Sequence, residues 1–538
     1  MSDSILSAKA RAPLVVAILY IAVVGVTSYL HERMFFPHVV VEAQGGIELH
    51  FLQPGFLSAG ACRDAAAGIA DTIRIGCPTC RAVIRECLGT LGPSEARLLS
   101  GEPVETPVSR LPRGVVAYLS DDKALALAAC RETERLTSSE RGFRASCYLP
   151  NTARPSLAGS PPAQDFEIWQ ALVGVLVFAL TLVTTALTGF LILRYEALHG
   201  RWTHDPARTG PQKFHATPTP RIGGLGVMAG LLISVVGLLA TRPGSTSELF
   251  GYLALASLPA FLGGIIEDVT KNVGVPTRLA LTVLSAALGA WLLGGMIPRL
   301  DVPGLDILLR WTPFAIAFTM FAVGGVANAI NIVDGYNGLA GGHAVIVLAA
   351  MAYVSAVVGD SFLFMSALAM IGALLGFLVW NYPKGKIFLG DGGAYLLGFW
   401  LGELSVLLVV RHPEISPWFP LLLLVFPIFE TVFSMYRRKI VLGLSPGQPD
   451  RYHMHQVIYA SLPGATAGTL DAVHLTRQNS RVAPYFWLMS LCCAVPAVLL
   501  CKETAWLVLV SVLFCVGYVS LYYRLSRTLP GSPIEKRT

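Results

Sequence analysis

Residues 362–380 read Phe362-Leu-Phe-Met-Ser-Ala-Leu-Ala-Met-Ile-Gly-Ala-Leu-Leu-Gly-Phe-Leu-Val-Trp380, with no charged side chain among them. Wound as an α-helix at about 1.5 Å per residue, a run of this length crosses the roughly 30 Å of hydrocarbon in a bilayer. In lipid it has to be helical, because a helix satisfies every backbone N–H and C=O within its own segment. Runs of the same kind lie at Pro13 to Leu30, Ile168 to Leu193, Ile222 to Ala240, Leu249 to Ile266, Leu279 to Ile297, Trp311 to Ala329, His343 to Val358, Ala394 to Val410, Trp418 to Met435, Tyr485 to Leu500 and Ala505 to Tyr523. Composition agrees with this reading. Of 538 residues, 54% are hydrophobic and 14% charged, against about 25% charged in soluble domains. A soluble enzyme is excluded. The net charge of +6 comes from basic residues scattered over short loops, so no nucleic-acid partner is expected.

The expected fold is therefore an all-α polytopic membrane protein of about 12 transmembrane helices. An N-terminal anchor over residues 1–30 precedes a core of eleven helices over 166–525, and residues 526–538 form a cytoplasmic tail. With the N-terminus inside, the short inner loops hold fifteen Lys and Arg residues, among them Arg221, Lys271, Arg278, Arg437 and Arg451, and the short outer loops hold five. That asymmetry sets the orientation by the positive-inside rule. The long outer segment, residues 31–165, contains Cys62, Cys77, Cys80, Cys87, Cys130 and Cys147, six of the ten cysteines. An even number there reads as a small disulfide-rich domain in an oxidising compartment, with a redox pair or half of a zinc site at Cys77-Pro-Thr-Cys80 as the alternatives. Six cysteines allow fifteen pairings, and sequence does not choose among them.

Polar groups at the ends of membrane helices are costly, and here they collect on the inner face. Glu267-Asp268 ends one span, with Arg278 following. Adjacent acids raise each other's pKa and can act as base and metal ligand, or simply terminate a helix at the interface. In Asn328-Ala-Ile-Asn331-Ile-Val-Asp334-Gly335-Tyr-Asn337-Gly338, the residues at i, i+3 and i+6 share a helix face. They offer hard oxygen ligands suited to magnesium, although Asn, Asp and Gly also build ordinary turns. Gly390-Asp391-Gly392-Gly393 places an acid at a helix N-terminus, a natural anion site. Arg451, His453 and His455 suit a phosphate clamp, with zinc as the runner-up.

These motifs, preceded by Pro218-Thr-Pro220-Arg221-Ile-Gly223-Gly224, resemble the polyprenyl-phosphate N-acetylhexosamine-1-phosphate transferase superfamily over roughly residues 168–525, with five motifs in order. The resemblance implies that undecaprenyl phosphate attacks the β-phosphate of a UDP-sugar, with UMP as leaving group and Mg2+ (or Mn2+ in its place) as cofactor. It implies Asp391, Asn331 and Asp334 as metal ligands, and Glu267, Asp268, Asp334, Asp391, Arg451, His453 and His455 as catalytic residues. Asn328, Asn337, Gly338, Arg278 and Arg221 would contact substrate, with Asn337-Gly338 near the uracil and Arg278 near a phosphate. The Pro-Thr-Pro-Arg-Ile-Gly-Gly start and His-Met-His look closer to the GlcNAc and O-antigen branch than to the peptidoglycan branch. The implied setting is the bacterial inner membrane, with catalytic loops cytoplasmic and residues 31–165 periplasmic. A second copy of the chain, and an unidentified partner for the outer domain, complete the expected partners. Glu267, Asn337 and Gln456 depart from the usual family residues. A secondary transporter and a receptor with a degenerate core remain as alternatives, though a transporter would carry midplane charges or broken helices.

Overall fold

The computed structural model describes the chain except residues 1–35, 44–45, 53–61, 64–65, 68, 71–79, 89–91, 101, 112–113, 138–145, 152–162, 206–217, 242–244, 446–449, 451, 464–471 and 528–538. The chain divides near residue 172 into two compact units.

The first unit is built on an antiparallel sheet of six strands, β1 (Phe36–Ala43), β2 (Ile47–Leu52), β3 (Arg81–Leu88), β4 (Val108–Leu111), β5 (Gly114–Leu119) and β6 (Ser146–Tyr148). Their spatial order is β3-β1-β2-β5-β4-β6. Helices α1 (Pro93–Ser100) and α2 (Lys123–Thr137) accompany it. Val39 and Val41 alternate onto one face and bury against Ala66 and Ala70. Val116 and Tyr118 pack on the same side with Ala126 and Cys130. On the other face Leu52, Val108, Val115 and Ala117 bury beneath Leu98 and Leu99 of α1. The all-α expectation is corrected here. Apolar stretches such as Val39-Val-Val41 and Val115-Val-Ala-Tyr118 are too short to span lipid, and their β-branched, period-two pattern suits a two-sided sheet. Disulfides join Cys62 to Cys87 and Cys130 to Cys147, and Cys80 is also disulfide-bonded. Cys77 lies outside the described residues.

The second unit is helical. Among the described residues of the chain, ten helical segments are long and apolar enough to cross a membrane, against the twelve expected. Of the other two, Pro13 to Leu30 lies outside the described residues. Trp418 to Met435 is interrupted, forming Trp418–Leu423 and Val425–Tyr436 with a break at Leu424. Pro427 has no N–H to offer the Leu423 carbonyl one turn earlier, which accounts for the interruption.

The elements that position the site are α3 (Ala163–Arg194), α4 (Glu196–Thr203), α5 (Gly223–Thr241), α6 (Ser245–Thr270), α7 (Val275–Leu293), α8 (Leu305–Leu309), α9 (Thr312–Val333), α10 (Leu339–Val357), α11 (Ser361–Asn381) and α12 (Gly390–Arg411). Helix α12 is buried on nearly every side and runs through the centre: Phe399, Trp400 and Leu401 are fully buried, and so is Glu403, an acid midway along it. Gly398 lies against the backbone of Ala327 in α9, at a distance a Cβ could not tolerate, which is how small residues bring membrane helices together. Around this centre, large apolar side chains such as Val183, Leu187, Trp291, Phe321 and Leu499 face outward, as a lipid-facing surface requires.

The loops gather at two ends. At one, Arg299 donates to the Ile415 carbonyl, Trp418 to the Leu300 carbonyl and Thr504 to Asp301, while Asp360 pairs with Arg411 and His412. These all belong to loops that the sequence threading assigns to one face. The other end carries Arg221, Asp268, Arg278, Asn331 and Asp391.

Candidate active site

The geometry centres on Asp391, the second residue of α12. Three backbone segments meet there. A Cβ on Gly390, whose φ is +76°, would strike the Arg221 carbonyl, one on Gly224 the backbone of Gly393, and one on Gly264 the backbone of Asp391. Asp268, fully buried near the end of α6, accepts the Asp391 N–H at Oδ1 and the Gly392 N–H at Oδ2, both at 2.9 Å. Two of the donors that a helix N-terminus leaves open are thereby satisfied by one side chain. Arg221 lies 3.3 Å from both Asp268 and Asp391. Arg278, from the first turn of α7, pairs with the other Asp391 oxygen. Asn331 donates to Asp391 at 3.1 Å. One carboxylate at a helix N-terminus thus meets two guanidinium groups and an amide.

Asp334 closes α9 one turn beyond Asn331 and is half-buried. Burial pushes its carboxyl up to about 7, with the Asp268 charge adding to the effect and Arg221 opposing it. A carboxyl whose folded pKa exceeds its unfolded value holds its proton longer in the folded state, so stability falls as pH rises through the window between them. In metal-free buffer the melting temperature should therefore decline between about pH 4 and 7, and Asp334→Asn should flatten that decline; thermal melts of both proteins across the window check it. Asn328 sits half-buried one turn before Asn331. Glu267 accepts the Val273 N–H at 2.7 Å, closing the α6–α7 loop. Lys271 donates to the Asp268 carbonyl.

Asn337 and Gly338 are built into the turn between α9 and α10. The Asn337 N–H donates to Asn479 at 2.8 Å and its side chain to the Pro383 carbonyl at 3.3 Å. The Gly338 N–H donates to Asn381 and its carbonyl accepts from Trp487. Asn381, Asn479 and Trp487 were not anticipated as partners.

His453 precedes a short helix, Met454–Ser461. Its Nδ1 is 2.7 Å from Glu430, a buried acid that also accepts from Tyr518 and the Met454 N–H. Glu430 was likewise missed, although a lone acid within the apolar run Trp418 to Met435 is itself a signal of function. His455 is buried with no hydrogen-bond partner at Nδ1. Its ring stacks on His453 at 5.3 Å and meets Tyr336 edge-on at 5.5 Å, two residues from Asp334. Burial, with His453 adding to it, pulls His455 well below the usual imidazole range. Asp450 is held by Arg437. Arg451 lies outside the described residues.

Among the described residues no three His, Cys, Asp or Glu side chains converge closely enough to hold a metal ion alone. Magnesium commonly takes only one or two carboxylates from protein and shares the rest of its shell with water and substrate phosphates. The residues at Asp391, Asn331 and Asp334 are of the type that chemistry needs.

Residues 250–409 match the family described as Glycosyl transferase family 4. That stretch holds Asp268, Arg278, Asn331, Asp334 and Asp391, while Arg221 and the histidine loop lie outside it. The chain is similar to the probable undecaprenyl-phosphate N-acetylglucosaminyl 1-phosphate transferase of Bacillus subtilis (strain 168), with 28% identity over 315 residues, 58% of this chain and 81% of the relative. It is similar to the undecaprenyl-phosphate alpha-N-acetylglucosaminyl 1-phosphate transferase of Escherichia coli (strain K12), with 30% identity over 256 residues, 46% of this chain and 67% of the relative. The decaprenyl-phosphate N-acetylglucosaminephosphotransferase of Mycobacterium leprae (strain TN) is 29% identical over 319 residues, 53% of this chain and 75% of the relative.

Proposed function

The chain belongs to glycosyl transferase family 4, and from that membership we propose that it transfers an N-acetylhexosamine 1-phosphate from a UDP-sugar to undecaprenyl phosphate, releasing UMP. The observation that carries the reading is the Asp391 constellation, in which a carboxylate, two guanidiniums and an amide from four separate segments meet at one end of the helices. Phosphoryl transfer depends chiefly on positioning and charge stabilisation, and these are the groups it uses.

Arg278 and Arg221 supply cations for the diphosphate, and Asp268 holds the Asp391 backbone in place. Asp391, Asn331 and Asp334 would hold Mg2+, with Mn2+ as substitute. Their oxygens are hard ligands of the kind magnesium takes. Once bound, the ion would offset charge on the phosphate oxygens. His453, aligned by Glu430, faces the sugar phosphate as a donor. His453→Ala should raise the KM for UDP-sugar about tenfold, since a hydrogen bond to a charged group is worth about 1.5 kcal/mol; steady-state kinetics on purified protein check this.

The acceptor's phosphate lies at the headgroup level with its tail in hydrocarbon, which explains why the site is at the end of a membrane bundle. The excess of Lys and Arg in the loops at this end supports a cytoplasmic site in a bacterial inner membrane, and the disulfides support a periplasmic location for the first unit. The relatives' names support N-acetylglucosamine as the sugar, and the product would initiate a surface polysaccharide such as O-antigen. Mass spectrometry of lipid products from purified enzyme and a panel of UDP-sugars tests this: a polyprenyl pyrophosphate N-acetylglucosamine is expected, and a muramoyl-pentapeptide product would overturn it.

A further inference from the structure

The chain turns a corner where α3 ends, and the corner carries a face that the transfer reaction does not use. Leu187 and Leu191 of α3 are exposed, and the same stripe runs on through Tyr195, Leu198 and Trp202 at intervals of three or four residues, the spacing that keeps side chains on one helix face. Those three are 52%, 71% and 51% exposed. The other face of α4 holds it in place. Gly200 and Thr203 are buried, and His199 stands 2.9 Å from the Ile192 carbonyl and 2.7 Å from Thr203 Oγ1. The far end of α4 leads straight to the site, because the Thr203 carbonyl accepts the Arg221 N–H at 2.9 Å and His204-Asp205 pairs antiparallel with Thr219-Pro220.

A row of Tyr, Leu and Trp that continues the lipid-facing stripe of a membrane helix belongs at headgroup level, where aromatic rings settle with an apolar body and a polar edge. The charges beside the row indicate which headgroups cover it. Arg194 and Arg201 are exposed, and their guanidiniums lie 5.8 Å from the Tyr195 ring and 4.7 Å from the Trp202 ring, cation–π contacts that keep both charges at the edge of the apolar row. The acid of α4, Glu196, is engaged by His204 at 2.8 Å. Beside Arg201 opens a cleft of about 750 Å3, lined also by Glu196, Gly200, His204 and Pro218, a volume in the range of small-ligand sites. We propose that α4 is a docking surface for anionic glycerophospholipids of the adjacent leaflet. The apolar row enters the headgroup region, and Arg194 and Arg201 take the headgroup phosphates, for which a guanidinium offers paired N–H donors. The leaflet thereby fixes α4, and through Thr203 the backbone of Arg221, at headgroup depth.

The test places the full-length chain in phosphatidylcholine nanodiscs doped with an equal amount of either photoactivatable phosphatidylglycerol or photoactivatable phosphatidylcholine, and maps the lipid adducts by peptide mass spectrometry. Labelling of residues 194–205 is normalised to that of the outward-facing helix Thr504–Ser526. Phosphatidylglycerol is expected to label 194–205 about 25-fold more than phosphatidylcholine, about fivefold for each arginine, and Arg194→Gln/Arg201→Gln is expected to bring the two lipids level. Arg201→Gln alone, expected to lower the excess about fivefold, takes its place should the double variant not fold. Equal labelling by the two lipids in the wild type would overturn the proposal, as would an excess that persists in the variants. So would labelling of 194–205 by neither lipid, which would put α4 away from the leaflet. None of these readouts depends on transfer activity.

Discussion

Asp391→Asn is expected to lower turnover about 100-fold or more while the purified protein melts close to the wild-type temperature. The carboxylate is the shared partner of Arg221, Arg278 and Asn331, and in the proposed reaction it is the principal anionic ligand for the metal on the diphosphate. An amide keeps one oxygen for those donors but loses the charge that a magnesium ion needs. If Asp391 served only to start α12, the effect would instead fall on stability, because helix-terminal side chains are worth about 1 kcal/mol. Kinetics at saturating Mg2+ and a thermal melt on the same preparation separate the two.

Asp268→Ala is expected to do the reverse first, destabilising the protein by about 2–6 kcal/mol. Both oxygens of this buried side chain accept backbone donors, from Asp391 and Gly392, and each buried donor left unsatisfied costs about 1–3 kcal/mol. Activity should fall as well, because the backbone that aims Asp391 loses its anchor. A variant that melts normally but is inactive would favour the alternative in which Asp268 acts as a base on the acceptor. Denaturation in detergent, alongside turnover at a temperature where the variant remains folded, distinguishes them.

The sequence already indicates the membrane helices, because length and the absence of charge are properties of each segment alone. Asp391 among glycines and the paired Glu267-Asp268 stand out for the same local reason. What joins them does not. Arg221 reaches Asp391 across 170 residues, and nothing in the local pattern of Pro218 to Gly224 specifies that contact. Asp268 reads as a free acid in sequence, and only the close approach allowed by Gly264 and Gly392 turns its oxygens toward a neighbouring helix end. The glycines read as making room for ligand serve in part to make room for backbone. Glu430 stands out as an acid inside an apolar run, but its pairing with His453, 23 residues further on, is not written in either local pattern. The sheet of the first unit escaped because its strands are short and its cysteines drew the reading toward covalent bonds.

The central claim is tested most directly by UMP release from the purified chain supplied with UDP-N-acetylglucosamine, undecaprenyl phosphate and Mg2+. Release that requires all three, and that chelator abolishes, is the predicted result. Folded protein that releases no UMP, or that releases it without the polyprenyl phosphate, would contradict the account.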